Sequence, residues 1–179
     1  MAHIITLNGI KPKIGKNCFL ASTAVIIGEV EIEDDCSIWY GAVLRGDVGK
    51  ILVRRGSNIQ DNAVIHSSAG RSWVEIGEET SIGHSAVVHG AIVGAHCLIG
   101  MGSVILDNAE IGEKSVVAAS ALVLAKTIVP PLALMAGVPA KQVKTLTEEQ
   151  SWQIAGANAK GYSKYASWFT SEETVEEII

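Results

Sequence analysis

The chain is poor in several things, and each shortage excludes a class of protein. Only 18% of its 179 residues are charged, and the 19 acidic residues outnumber the 14 basic ones, for a net charge of −5. A protein that binds nucleic acid by neutralising phosphates carries the opposite excess. Low charge beside 48% hydrophobic residues excludes a disordered tail. With four prolines and 5% aromatics against 18 glycines, the chain is neither collagen nor a low-complexity linker. Its three cysteines form no close pair, which excludes a disulfide framework and points to a reducing compartment. No run approaches the length of a membrane span: the most apolar stretch, Val116 to Ala125, stops at Lys126 and Pro130-Pro131. The opening residues lack the basic start and long apolar centre of a signal peptide. The expectation is a single domain, 1–179, in the cytoplasm, long enough to bury a sizeable core.

What the chain has is a period. Stepping by six from Ile14 gives Leu20, Ile26, Ile32, Ile38 and Leu44; the series resumes at Val53, Ile59 and Ile65, then at Ile76, Ile82 and Val88, and runs from Val93 through Ile99, Ile105, Ile111 and Val117 to Val123. A helical repeat would smear this pattern. Glycine often follows the aliphatic residue, as at Gly15, Gly77, Gly83, Gly100 and Gly112. Four positions after the aliphatic residue stands a small one, and Cys18, Cys36 and Cys97 all fall in that column, as small core residues rather than metal or redox groups. Hexads of this kind predict a parallel β-helix in which three short strands make one triangular coil. Six coils at about 4.8 Å make a prism roughly 29 Å long.

Three irregularities interrupt the period. Three extra residues lie in Arg45–Lys50, five extra in His66–Glu75, and one residue is missing beside His89-Gly90. All follow the third hexad of a coil, so they gather at one corner, and loops on a regular scaffold are where function usually sits. The β-helix is expected over 10–129. A connecting segment with Pro130-Pro131 and Gly137-Val138-Pro139 should fill 130–146. Thr147-Glu-Glu-Gln150 is a capping-box pattern opening a helix over 147–169, with Trp152, Ile154, Ala155, Ala159 and Tyr162 near one face against the prism. Ser171–Ile179 reads as an acidic turn or a frayed tail.

Of five histidines, His3 and His96 read as surface residues. His66 and His89 each follow the third aliphatic residue of successive coils, so they stack about 4.8 Å apart, a separation that suits two imidazoles on one metal. His84, two residues after Ile82, lies on a different face and would approach them poorly within one chain; a neighbouring subunit around a three-fold axis could supply it. Three neutral histidines leave a fourth position open, the pattern of catalytic sites. Arg45 and Asp47 stand one coil before His66, and Gln60 and Asp61 lead toward it. An Arg–Asp surface or interface ion pair explains the first two equally well, whereas Gln60 has little to do in an apolar prism except contact substrate or water.

The stretches Ser37-Ile-Trp-Tyr-Gly-Ala-Val-Leu-Arg45-Gly-Asp47, Asn58-Ile-Gln60-Asp61, Val64-Ile-His66, Gly83-His84-Ser-Ala-Val-Val-His89-Gly90 and Leu98-Ile-Gly-Met-Gly102 resemble the γ-class carbonic anhydrase family. The resemblance covers residues 10–165. It implies a left-handed parallel β-helix with a C-terminal helix, and a homotrimer with metal sites at the subunit interfaces. His66 and His89 would come from one chain and His84 from the next. Zinc is the usual metal, with iron or cobalt as alternatives. It also implies that Arg45 pairs with Asp61 across the interface, that Asp47 sits nearby, that Gln60 orients water or bicarbonate, and that the segment Asn158–Tyr162 brings Asn or Tyr near the metal, although a packed core Tyr162 fits equally. The chain departs from the family pattern in carrying Val48 where active members often have glutamate, and the short Ser67-Ser-Ala-Gly-Arg71 in place of a long acidic loop. This matches a shorter branch of the family.

Three functions follow as expectations: metal-dependent reversible hydration of CO2; an acyltransferase or CoA-thioester enzyme on the same hexapeptide scaffold; or a metal-binding trimer without catalysis. Metal content separates the second from the others, and CO2 turnover separates the first from the third.

Overall fold

The computed structural model describes residues 1–170, so the expectation for Ser171–Ile179 falls outside the described residues. The chain is a parallel β-helix closed by a C-terminal helix. One face is an eight-stranded sheet running from Phe19–Leu20 through Ser37–Ile38, Asn58–Ile59, Ser81–Ile82, Leu98–Ile99 and Val116–Val117 to Ala133–Gly137, with Ala140–Thr145 added antiparallel at its end. The other two faces form a twelve-stranded sheet, because the strands Val25–Ile32 and Val43–Val53 pass without a break around the corner between them.

The register follows from the hexad. Ile26 pairs with Leu44, Leu44 with Ile65, Ile65 with Val88, Val88 with Ile105, and Ile105 with Val123. Every hexad aliphatic from Ile26 to Val123 is buried; Ile14 and Leu20, in the first coil, are partly covered. Corner geometry explains the other two columns. The residue before most of the small ones takes a positive φ, as at Asn17, Asp35, Asn62, His96 and Asn108, and the small residue turns inward where no larger side chain fits. His96 is thus a corner residue, with Nδ1 3.6 Å from Glu79. A Cβ at Gly77 would stand 2.5 Å from the Ala95 backbone nitrogen, and one at Gly100 equally close to that of Ala119, so glycine is what lets successive coils stack there. Cys36 and Cys97 are buried, with Sγ 3.1 Å and 3.2 Å from the Arg54 and Gly112 carbonyls.

Three details differ from the sequence expectations. The Arg45–Lys50 insertion is not a loop: it is absorbed as a bulge, Gly28 facing Gly46 and Val30 facing Ile51, in the continuous strand Val43–Val53. Ladder hydrogen bonds on both sides hold the extra residues in extended form. Second, the segment 130–146 carries a hairpin, whose first strand places Met135 beside Val117 and continues a seventh coil that opens at Ile128–Val129. Proline ends the hexad spelling there but not the stacking. Third, Trp152 and Ile154 are 53% and 41% exposed, while Ala155 and Ala159 are buried. The helix opens at Glu148 under the Thr147–Gln150 capping box, then widens into a π-helical turn over Trp152–Gly156 before Ala157–Thr170. The extra residue in that turn rotates Trp152 out and brings Ala155, Ala159 and Tyr162 in.

The helix is fixed to the eight-stranded face by an aromatic cluster. Trp39 packs on Phe19, Tyr162 and Phe169 with ring centroids 5.0, 5.3 and 5.4 Å apart, and its indole N–H donates to Ser37 at 3.0 Å. Ser151 donates to the Lys114 carbonyl at 2.7 Å. This anchoring carries Asn158 and Tyr162 to the corner where His84 stands.

Candidate metal centre

His66 and His89 end paired strands, Val64–His66 and Val87–His89, and are in direct register. Their ring centroids are 5.1 Å apart, and His66 Nδ1 lies 3.2 Å from His89 Nε2. The far nitrogen of each ring meets a carboxylate: His66 Nε2 lies 2.9 Å from Asp47 Oδ1, and His89 Nδ1 lies 2.8 Å from Asp107 Oδ2. A carboxylate accepts only, so each ring turns an N–H to its carboxylate, and two lone pairs then face one another across 3.2 Å. Such a pair repels unless a proton or a cation sits between. Two nitrogens on a tetrahedral metal with bonds of about 2.0–2.1 Å lie roughly 3.3–3.4 Å apart. The donor set and its spacing therefore fit a metal.

His84 follows the same plan at another corner. Its Nδ1 lies 2.8 Å from Asp61 Oδ2, and its Nε2 accepts the Tyr162 hydroxyl at 3.0 Å. Burial, together with the Asp61 charge, pushes the Tyr162 phenol up to about 12, so it remains a donor. Gln60, almost wholly buried, accepts the His84 backbone N–H at 3.2 Å and donates to Asn58 at 3.0 Å and Asn158 at 3.4 Å. Among the described residues of one chain, no three His, Cys, Asp or Glu side chains converge as a metal site. His66 with His89 supplies two donors at one corner, and His84 presents a third at another.

The remaining site residues are placed as follows. Arg45 bonds Asp47 within its own chain, and Asp61 is taken by His84 and by the Tyr40 backbone N–H, so the Arg45–Asp61 pair is not formed within one chain. Burial raises Asp47, but hydrogen bonds from His66 and Arg45 outweigh it and hold its carboxyl below the usual value. Asp107 is likewise held low, burial being outweighed by bonds from Ser72 and His89. Sequence reasoning missed Asp107 and Ser72. The signal was present: Asp107 lies 18 residues, three hexads, after His89 and so returns to the same corner one coil on.

A solenoid of hexapeptides whose corners carry carboxylate-held histidines belongs to the hexapeptide-repeat class. The family model "Bacterial transferase hexapeptide (six repeats)" matches residues 11–46 and 90–125. The chain is 48% identical over 158 residues to the "Probable carbonic anhydrase" of Methanocaldococcus jannaschii, covering 88% of this chain and 98% of that one. It is 42% identical to a carbonic anhydrase of Geobacillus kaustophilus, over 82% of this chain and 80% of the relative. Among solved structures it superposes on a hexapeptide transferase family protein from Anaplasma phagocytophilum with a TM-score of 0.86 and 39% identity, over 92% of this chain and 96% of the other. The chain belongs to the γ-class carbonic anhydrase-like family of hexapeptide-repeat proteins.

Proposed function

We propose that this protein is a metal-dependent carbonic anhydrase that interconverts CO2 and bicarbonate as a homotrimer, with each metal held by His66 and His89 of one chain and His84 of the next. The observation that carries the reading is the pair of imidazole nitrogens facing one another across 3.2 Å, each ring held by a carboxylate behind it. Zinc suits three neutral imidazoles, and iron or cobalt can take the same donors. Bound there, such a metal lowers the pKa of water to about 7 and so supplies a nucleophile at neutral pH.

The chain's own groups set up the rest. Asp47, Asp61 and Asp107 hold the three rings in the tautomer that leaves a lone pair for the metal. The Arg45 guanidinium, 43% exposed along its side chain beside Asp47, is the cation that meets the bicarbonate anion. Gln60 is pinned by Asn58, Asn158 and the His84 N–H, so its amide has one orientation in which to align water or substrate. Tyr162 donates to the His84 nitrogen that a metal would take; with that nitrogen occupied, its hydroxyl would be free to donate to substrate. Hydration of CO2 yields bicarbonate and a proton, which must leave every turnover. Near the site, Val48 and Ser67–Arg71 offer no carboxylate for it, and Asp47 is already held by His66 and Arg45.

An acyltransferase reading draws on the transferase name of the Anaplasma relative. Acyl transfer needs one catalytic histidine and not a constellation of three, which favours the metal reading. Metal analysis of the purified protein with a stopped-flow CO2 assay tests it. One metal per chain with CO2 turnover is expected. A metal-free protein, or a metal-loaded one without turnover, overturns it, the latter in favour of a non-catalytic metal-binding trimer.

A further inference from the structure

Two of the irregularities in the repeat converge on Asp107. The five-residue insertion carries Ser72, whose hydroxyl accepts from the Ser68 N–H at 3.1 Å and donates to Asp107 Oδ1. The one-residue deletion carries Gly90, at φ +61, and a Cβ there would run into both Ser72 Oγ and Asp107 Oδ1. The Gly90 carbonyl accepts the Asn108 N–H at 2.6 Å, drawing the next coil's corner close. The second oxygen of Asp107 meets His89 Nδ1 at 2.8 Å. Insertion, deletion and the coil beyond thus close on one carboxylate, and that carboxylate acts on one ring.

We propose that Ser72, Gly90 and Asp107 form a tautomer clamp. Asp107 is a positioning residue that keeps the His89 proton on Nδ1 and leaves Nε2 free to ligate, Ser72 holds Asp107 in place, and Gly90 provides the room. The short segment after His66 therefore has a task of its own. A His89 that carried its proton on Nε2 would present N–H, not a lone pair, to the position shared with His66, and could not bind metal there. Ring orienters of this kind are worth about 10–100-fold in metal affinity.

The proposal rests on the metal reading of the site, so the test separates the two. The full-length protein is stripped with a chelator, and imidazole nitrogen NMR shifts in isotopically labelled protein report where the His89 proton sits with no metal present. Zinc affinity is then measured by competition with a chromophoric chelator. Wild-type protein should show the Nδ1–H form alone. Asp107→Ala should give a mixture of tautomers and bind zinc about 10–100-fold more weakly, with an unchanged oligomeric state. Ser72→Ala should shift both readouts in the same direction by a smaller factor. A proton on Nε2 in the wild type, or an Asp107→Ala protein with wild-type tautomer or wild-type affinity, overturns the clamp. Should Asp107→Ala fail to assemble, Ser72→Ala decides by the same criteria. A wild type with the Nδ1–H form that binds no zinc upholds the clamp and refutes the metal reading.

Discussion

Sharing of the metal site between chains can be tested by complementation, with a magnitude fixed by the geometry. His66 and His89 are register partners at one corner, whereas His84 projects from another and is tied to Asp61 and Tyr162. His66→Ala and His84→Ala homotrimers should each bind little metal, because every site lacks one of three ligands. When the two chains are co-refolded in equal amounts, a site is intact only where a His84→Ala chain, which keeps His66 and His89, meets a His66→Ala neighbour, which keeps His84. Each condition holds for half the chains, and in a cyclic trimer one rotational sense counts, so about a quarter of sites should recover. The readout is metal per chain after dialysis, against both parents, with distinguishable tags to verify mixing. If all three ligands came from one chain, every chain in the mixture would still lack one. No recovery in verified mixed trimers refutes the assignment of His84 to the neighbour.

Added imidazole should raise the maximal CO2 hydration rate, since Val48 and the segment Ser67–Arg71 offer no carboxylate to take the proton, and Val48→Glu should raise it as well; a high rate indifferent to buffer contradicts this. Ile65→Ala, at a fully buried position, should cost about 2–5 kcal/mol in urea unfolding at fixed protein concentration. Ile128→Ala, at a position 66% exposed, should stay within about 0.5 kcal/mol, and equal losses at both would contradict the packing account. Of the three cysteines, Cys18 should be alkylated first. Hydrogen bonding with Cys36 outweighs burial and draws Cys18 down to about 7, while Cys36 itself is pushed up and burial raises Cys97 to about 12. The labelling rate of Cys18 should climb with pH through about 7 and level off above it, while Cys36 and Cys97 react only on unfolding. Mass spectrometry that finds Cys97 modified as fast as Cys18 would refute this.

The hexad was legible because a solenoid repeats its environment: each aliphatic position meets the same neighbours one coil away, so interior packing is written as a period in the chain. The same period stacks His66 on His89, since residues one coil apart must lie about 4.8 Å apart. Where the chain leaves the period, sequence lost its guide. Nothing in Arg45–Lys50 says whether extra residues loop out or bulge within a strand; the ladder partners Gly28 and Val30 decided that. The seventh coil was hidden because Pro130-Pro131 ended the spelling while the backbone kept stacking. The π-helical turn, next to which Trp152 and Ile154 stand outward, is a choice of hydrogen-bond partners, invisible to apolar spacing. Ring orientation belongs only to the tertiary structure. Which nitrogen of His89 meets Asp107, and whether Ser72 reaches that carboxylate, depends on fractions of an ångström at a corner built from three separate stretches of chain. Sequence alone determined the scaffold and its histidines, because burial repeats; the carboxylate behind each ring was decided by side-chain directions, which do not.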